Sequence, residues 1–431
     1  MRSESEIRDL LESMLEWTEA DEAQVEYRFS RDLSTRFGEN AITQNTAGEQ
    51  EEVSVEVAFG SRHGRSTDNT LDGSDLLQLI GRAERMAGSS PEDPEYVPPP
   101  DPVDYCDTPP RFYPETAELG PGEVADAVEE VLNPVSEKDY RASGLFSRGV
   151  AVRAVANTEG LFAFERSTSL DYSTTVHGPT GSGSAARFSE STENVSAANL
   201  GTEALDTALA AQNPRFIEPG DYTVIFEPRA TLDLLNFMLY EMDARDADEG
   251  TSAFAGLRGD KLFDDRITIT TEVEDPELPA PPFGEEGLPV RPRTWVKDGV
   301  LERLRHSRYW AQKKAEEPDP YAAPWTMHGE DRDLADLIAG CERGLLVKRL
   351  WYIRFVDQRE LLLTGMTRDG LFLVEDGEVT GPVGNLRFNE SPIKFLERAV
   401  ALSRPRRVGP GAKMPGVMSE DFTFSSTTES V

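Results

Sequence analysis

Hydrophobic positions near the start of the chain recur every three or four residues: Ile7, Leu10, Leu11, Met14 and Leu15. This spacing predicts an amphipathic helix, and Ser3 with Glu6 supplies a capping box for its first turn. The period then falls to two. Val25, Tyr27 and Phe29 alternate with polar residues, as do Val53, Val55, Val57 and Phe59, which predicts two half-buried strands. Residues 74–87 return to helical spacing, with Leu76, Leu77, Ile80, Ala83 and Ala87 on one face. Together these elements make an α/β or α+β unit.

Residues 88–110 break the pattern with Pro91, Pro98, Pro99, Pro100, Pro102, Pro109 and Pro110. Proline donates no backbone hydrogen bond, so this stretch is neither helix nor central strand and reads as a linker. A helix over 123–132 opens the next unit. Residues 149–155 and 161–170 form a hairpin across Asn157-Thr158-Glu159-Gly160, and a helix near 202–211 closes the region. From Pro219 the pattern is mainly β. Strands are predicted over 222–226, 267–272, 345–356, 361–364 and 371–374, the last turning at Asp376-Gly377 into Val379. A helical pattern over 231–242 interrupts them, and 274–292 is a loop. Ser391 and Pro392 open a final helix with Ile393, Leu396, Ala399 and Val400 inward. The expected architecture is α+β. It has an N-terminal α/β domain (1–90), a Pro-rich linker (91–110), a central domain (111–218) and a mainly antiparallel β C-terminal domain (219–431).

Charge narrows the function. Of 431 residues, 79 are Asp or Glu and 44 are Lys or Arg, a formal net charge of −35; only 8 of the basic residues are Lys. A sequence-independent nucleic-acid binder needs a cationic surface, and docking on an anionic bilayer needs a polybasic segment. Both are excluded as partners. Excess carboxylate with scarce Lys fits a halophilic, salt-rich cytoplasm, where screening weakens the mutual repulsion. No apolar run approaches the ~18 residues of a membrane span, and Met1 to Glu4 lack the pattern of a signal peptide. Cys106 and Cys341 cannot build a disulfide framework. A soluble cytoplasmic protein is expected.

The chemistry-bearing residues are sparse. Each of the four histidines, His63, His177, His306 and His328, is followed by Gly or Ser, so no HExxH zinc motif exists. Residues 178–184 are Gly-rich but lack the lysine of a phosphate loop, and Ser182 or Ser184 beside His177 has no GxSxG elbow. Asp243, Asp246, Asp248 and Glu249 form an acidic cluster without EF-hand spacing; it reads as a solvated loop, with a carboxylate-held hydrolytic metal as the enzymatic alternative. Arg404, Arg406 and Arg407 form the one dense basic run, suited either to an interface or to ion pairs within the fold.

Several blocks, in order along the chain, resemble the TldD/PmbA (TldE) metallopeptidase family. They are Gly250-Thr251-Ser252-Ala253-Phe254-Ala255-Gly256 with Gly259 and residues 262–269, residues 344–350, Thr364-Gly365 to Gly370, residues 374–379 and Pro382-Val383. Residues 53–67 are similar to the family's opening strands. Catalytic members of that family carry HExxxH just before the GTS block and a cysteine near the C-terminus, because two imidazoles and a thiolate hold zinc while the Glu acts as base. Here the corresponding window, residues 235–240, contains neither His nor Glu, and the region of residues 408–411 contains no Cys. The resemblance therefore implies a TldE/PmbA-like, non-catalytic subunit with no catalytic residues, metal ligands or cofactor of its own. Its implied partner is a TldD-like metallopeptidase that carries zinc, the pair acting in proteolysis of unfolded peptides. Thr251, Ser252 and Phe254 are candidates to line the peptide channel, or else a turn that packs the β core. The alternative is an independent peptide-binding or regulatory homo-oligomer without protease activity.

Overall fold

The computed structural model of the chain describes residues 1–428. Helix α1 (Glu4–Trp17) begins at the expected Ser3–Glu6 capping box and buries Ile7, Leu11 and Met14. Strands β1 (Glu22–Gly38) and β2 (Ala41–Phe59) meet in a hairpin whose two turn residues, Glu39 and Asn40, take positive φ of 50° and 60°. Positive φ at both central positions matches the twist of the flanking strands. Next come β3 (Arg62–Asp68) and α2 (Gly73–Ser89), where Leu79 rather than Leu77 completes the buried face. After α3 (Pro114–Ala117) and α4 (Pro121–Ser136), β4 (Arg141–Asn157) and β5 (Phe162–His177) form the expected hairpin. Then β6 (Ser182–Ser189) and α5 (Ala197–Ala210) complete this lobe.

The strands are ordered β3-β2-β1-β4-β5-β6 in one sheet, antiparallel at every junction. This sheet spans the first and third of the expected segments. Residues 1–90 and 111–218 do not form separate sheets, because β1 pairs with β4 from Gln24↔Asn157 to Phe37↔Gly144. The N-terminal unit is an antiparallel sheet with helices on one face, within the expected α+β class. Side chains at positions 25, 27, 29, 33 and 37 of β1 share a face by strand alternation, and all four longer helices cover it. Helices α1 and α2 pack on Val25, Tyr27 and Val55, whereas α4 and α5 pack on Phe37, Phe146 and Tyr172. The Pro-rich segment is irregular, as expected, yet anchored. Asn157 donates to the Pro100 carbonyl at 2.8 Å, and the Tyr105 hydroxyl donates to the Gly287 carbonyl at 2.9 Å.

The C-terminal lobe starts with β7 (Gly220–Phe226), α6 (Pro228–Glu241) and α7 (Ala244–Asp248). It continues with β8 (Ile269–Thr271), β9 (Arg293–Lys297), β10 (Val300–Leu301), α8 (Arg308–Lys314), β11 (Trp325–Met327) and α9 (Leu334–Ala339). The long hairpin of β12 (Arg343–Asp357) and β13 (Leu362–Glu375) follows, with β14 (Glu378–Pro382) and β15 (Leu386–Glu390). Last come α10 (Pro392–Glu397), β16 (Ala399–Leu402), β17 (Arg406–Gly409), β18 (Ala412–Met414) and β19 (Val417–Thr427). One sheet runs β10-β9-β8-β11-β18-β17. In the other, the pairings β12-β7-β19-β15-β13 return to β12, so the sheet closes on itself. Phe226, Phe388, Phe395, Phe422 and Phe424 form a continuous aromatic core, with Phe226 and Phe395 centroids 4.6 Å apart. The expected final helix stops at Glu397. Ala399 belongs to β16, because the edge of β19 offers it a pairing partner in Ser419 that a helix would forgo.

Candidate functional site

Alternation along β5 builds the floor of a cleft. Leu170, Tyr172 and Val176 face the helices, so Asp171, Ser173 and Thr175 must point the other way. With Ser143 of β4 and residues of β6 they floor a cleft of about 990 Å³ between the lobes. The opposite wall carries Glu227 and Arg229 from the β7–α6 junction, Lys348 and Arg349 from β12, and residues 406–408 of β17. Strand β6 ends its sheet. It pairs only with β5 among the described residues, and its residues 184–189 line the cleft. An unpaired row of backbone donors and acceptors therefore runs along the wall.

The cleft reverses the charge balance of the chain. Its lining holds six basic residues (Arg187, Arg229, Lys348, Arg349, Arg406, Arg407) against five acidic ones (Asp171, Glu190, Glu203, Glu227, Glu277), whereas the whole chain holds 44 against 79. Most are paired. Arg407 grips Glu190 of the other lobe through two hydrogen bonds of 2.7 and 2.9 Å, and Arg187 pairs with Glu203. Lys348 lies 3.2 Å from Glu227 and donates to Thr207 at 2.9 Å; Arg406 approaches the same Glu227 at 3.5 Å. The Asp171 side chain has no hydrogen bond or ion pair among the described residues. Burial raises the pKa of its carboxyl, and Arg229 pulls it partly back. At Asp233, behind Arg229, burial is again the main raising influence, opposed by Arg229 and the Leu350 amide.

The sequence candidates fall elsewhere. Phe254 is fully buried in the C-terminal core, and Ser252, 4% exposed, donates to the Glu241 carbonyl at 3.2 Å and accepts from the Phe254 amide. Thr251 is exposed and donates to the Asp246 carbonyl at 3.0 Å. None of the three lines the cleft; they make a turn that packs the lobe. In the acidic cluster, Asp243 caps α7, Glu249 binds Arg245 at 3.0 Å, and Asp248 binds Lys314 at 2.9 Å. No group of three or more His, Cys, Asp or Glu residues among the described residues is placed to hold a metal ion. The basic run forms pairs within the fold, Arg404 with Asp331 at 2.7 Å and Arg407 with Glu190.

Ser182 donates to Asp369 at 2.7 Å rather than to His177, and Gly183 packs closely under α5. A Cβ there would lie 2.4 Å from the Ala204 carbonyl oxygen, so the glycine lets α5 rest on the strand. Within α6, the window 235–240 buries Leu235, Met238 and Leu239 and exposes Asn236 and Tyr240. Sequence reasoning missed Arg229, Lys348 and Arg349. Lys348 and Arg349 are adjacent cations on an acidic background, whereas Arg229 stands alone between Arg215 and Arg245 and carries no local signal.

A one-faced antiparallel sheet joined to a closed β lobe through a charged cleft defines the class, an α+β protein of two lobes. Residues 219–426, just under half of the chain, match the family model described as PmbA/TldA metallopeptidase C-terminal domain. Its fold is similar to that of TldE from Thermococcus kodakarensis, with 18% identity over 97% of this chain and 99% of that one (TM-score 0.86). It is also similar to a proposed modulator of DNA gyrase from Thermotoga maritima, with 16% identity over 98% and 100% of the two chains (TM-score 0.88). A third similar structure, likewise a proposed gyrase modulator, comes from Bacteroides thetaiotaomicron, with 20% identity over 99% and 100% (TM-score 0.87). No curated protein matches the chain. Among the described residues, no helix is long and apolar enough to cross a membrane.

Proposed function

We propose that this chain is a TldE/PmbA-like subunit that holds an unfolded peptide in the inter-lobe cleft, while a TldD-like metallopeptidase partner supplies zinc and hydrolysis. The observation that carries this reading is the edge of β6 in the cleft wall. An extended peptide can add to such an edge through main-chain hydrogen bonds, with little demand on its sequence. The Ser and Thr side chains of the floor can satisfy further peptide amides. The charged wall of Arg229, Lys348 and Arg349 orients the strand from the other side. Zinc would supply the activated water when bound in the partner, and the absence of His and Glu from residues 235–240 supports assigning it there.

A partner surface is supported by an apolar patch near the end of α6. Tyr240 is 71% exposed, and Tyr352, Phe355 and Val356 at the end of β12 are 58, 38 and 56% exposed. Exposed apolar patches of this kind mark association surfaces. The proposed setting is a salt-rich cytoplasm. There the test is affinity purification in high salt, with mass spectrometry of partners and metal analysis. The expected result is co-purification of a zinc-containing chain with HExxxH. Recovery of homo-oligomers alone, with no zinc-bearing partner, would refute the subunit role and favour an independent peptide binder.

A further inference from the structure

The cleft adjoins a smaller, more open pocket of about 350 Å³, which shares Ser143, Gly144, Ser173, Thr175 and Arg349 with it. Three arginines converge there from both lobes: Arg36 from β1, Arg349 from β12 and Arg368 from β13. One carboxylate accompanies them, Asp369, and it is already committed. Only 1% exposed, it accepts from Arg349 at 2.8 Å and from Ser182 at 2.7 Å, with Arg368 at 3.8 Å. The indole of Trp351 packs against two of the guanidiniums, 4.8 Å from Arg349 and 5.1 Å from Arg368. Arg36 is exposed and has no side-chain hydrogen bond, ion pair or ring contact among the described residues. In a chain with 79 carboxyl side chains, three arginines facing a single buried Asp leave a local surplus of two positive charges.

We infer that this pocket is a carboxylate-binding subsite, which anchors a carboxylate of the peptide lying in the cleft against Arg36, Arg349 and Arg368. Guanidinium is suited to the task because its planar fork matches the two carboxylate oxygens. The carboxylate has two sources, the peptide's C-terminus or an acidic side chain. The inference rests on the peptide reading of the cleft, and the following experiment separates the two.

Calorimetric titration of the full chain at one fixed salt concentration uses N-acetylated peptides of Ser, Ala and Val. One pair ends in a free carboxylate or an amide; a second pair, both amidated, carries an internal Glu or Gln. Loss of the recognised carboxylate should weaken binding at least about tenfold, the scale of a charge-assisted pair. R36Q and R368Q should each abolish most of that discrimination, and R36K should retain part of it. R36Q removes no contact within the fold, so unchanged circular dichroism is expected. Discrimination in the first pair identifies the C-terminus, and in the second an acidic side chain. If all four peptides bind wild type alike, the subsite is overturned while peptide binding in the cleft stands. Discrimination that survives both substitutions also overturns it. If no peptide binds, the cleft reading and the subsite fall together.

Discussion

Replacing Glu190 by Gln removes the counter-charge that Arg407 holds across the cleft. The side chains are 10% and 12% exposed, so the pair is poorly screened, and it makes two hydrogen bonds of 2.7 and 2.9 Å. Arg407 also donates to the carbonyls of Glu277, Gly409 and Pro410, which pin its position after Glu190 is changed. A guanidinium fixed in this way and stripped of its charge partner costs about 3–5 kcal/mol, the range for one broken half of a buried pair. R407M should cost a similar amount, moderated because Arg111 lies close enough to interact with the stranded Glu190. The double variant removes both charges and should therefore cost less than the sum of the singles, by about 1–3 kcal/mol. Urea unfolding followed by tryptophan fluorescence at fixed high salt measures all four corners of the cycle. Single losses below about 1 kcal/mol with an additive double variant would refute the claim that this pair ties the lobes together.

Other consequences are quicker to test. Phe254→Ala should cost about 3–5 kcal/mol in the same urea assay by emptying a fully buried ring site, while Thr251→Ala on the exposed side of the turn stays within about 0.5 kcal/mol. Gly183→Ala forces a methyl group to 2.4 Å from the Ala204 carbonyl and 2.6 Å from the Ala208 amide, so α5 must lift from β6. A loss of about 1–3 kcal/mol is expected, read as a lowered Tm. Burial, reinforced by Arg303, holds the His306 pKa below its ordinary value of 6.5. Between that lowered value and 6.5 the unfolded chain binds more protons than the folded one. Its contribution is complete above pH 6.5 and drains away as pH falls through the folded value, by at most about 1.4 kcal/mol per pH unit. His306→Asn should flatten that part of the stability–pH curve; an unchanged slope would show that His306 does not titrate differently in the two states.

Local patterns in the sequence were reliable where one element's own residues decide its structure. The α1 capping box, the alternation of β1 and β2, the β4–β5 hairpin and the turn before β14 all lie where residue spacing places them. Errors arose where a distant strand chose. Ala399 reads as helical, yet β19 captures it; Leu77 and Leu79 both suit α2, and only the neighbouring sheet selects Leu79. The candidate site shows the same division. The GTS block carries the family resemblance, but its Phe254 serves the core. Arg36 and Arg368 sit 332 positions apart in sequence (368 − 36), and no local motif announces that they meet.

By itself, the sequence determined the mainly local features: the α+β class, most element positions, the acidic surface and the lack of His and Glu in residues 235–240. It also carried the family resemblance, because an ordered set of blocks survives even where no single block is decisive. The tertiary structure alone decided that residues 1–90 and 111–218 share one sheet, since β1–β4 pairing is a contact between residues more than 100 positions apart. It alone gathered six cations of a −35 chain around one cleft. Net charge is a sum over the whole sequence. The field inside a cleft depends on which charges the fold buries as pairs and which it leaves facing the ligand.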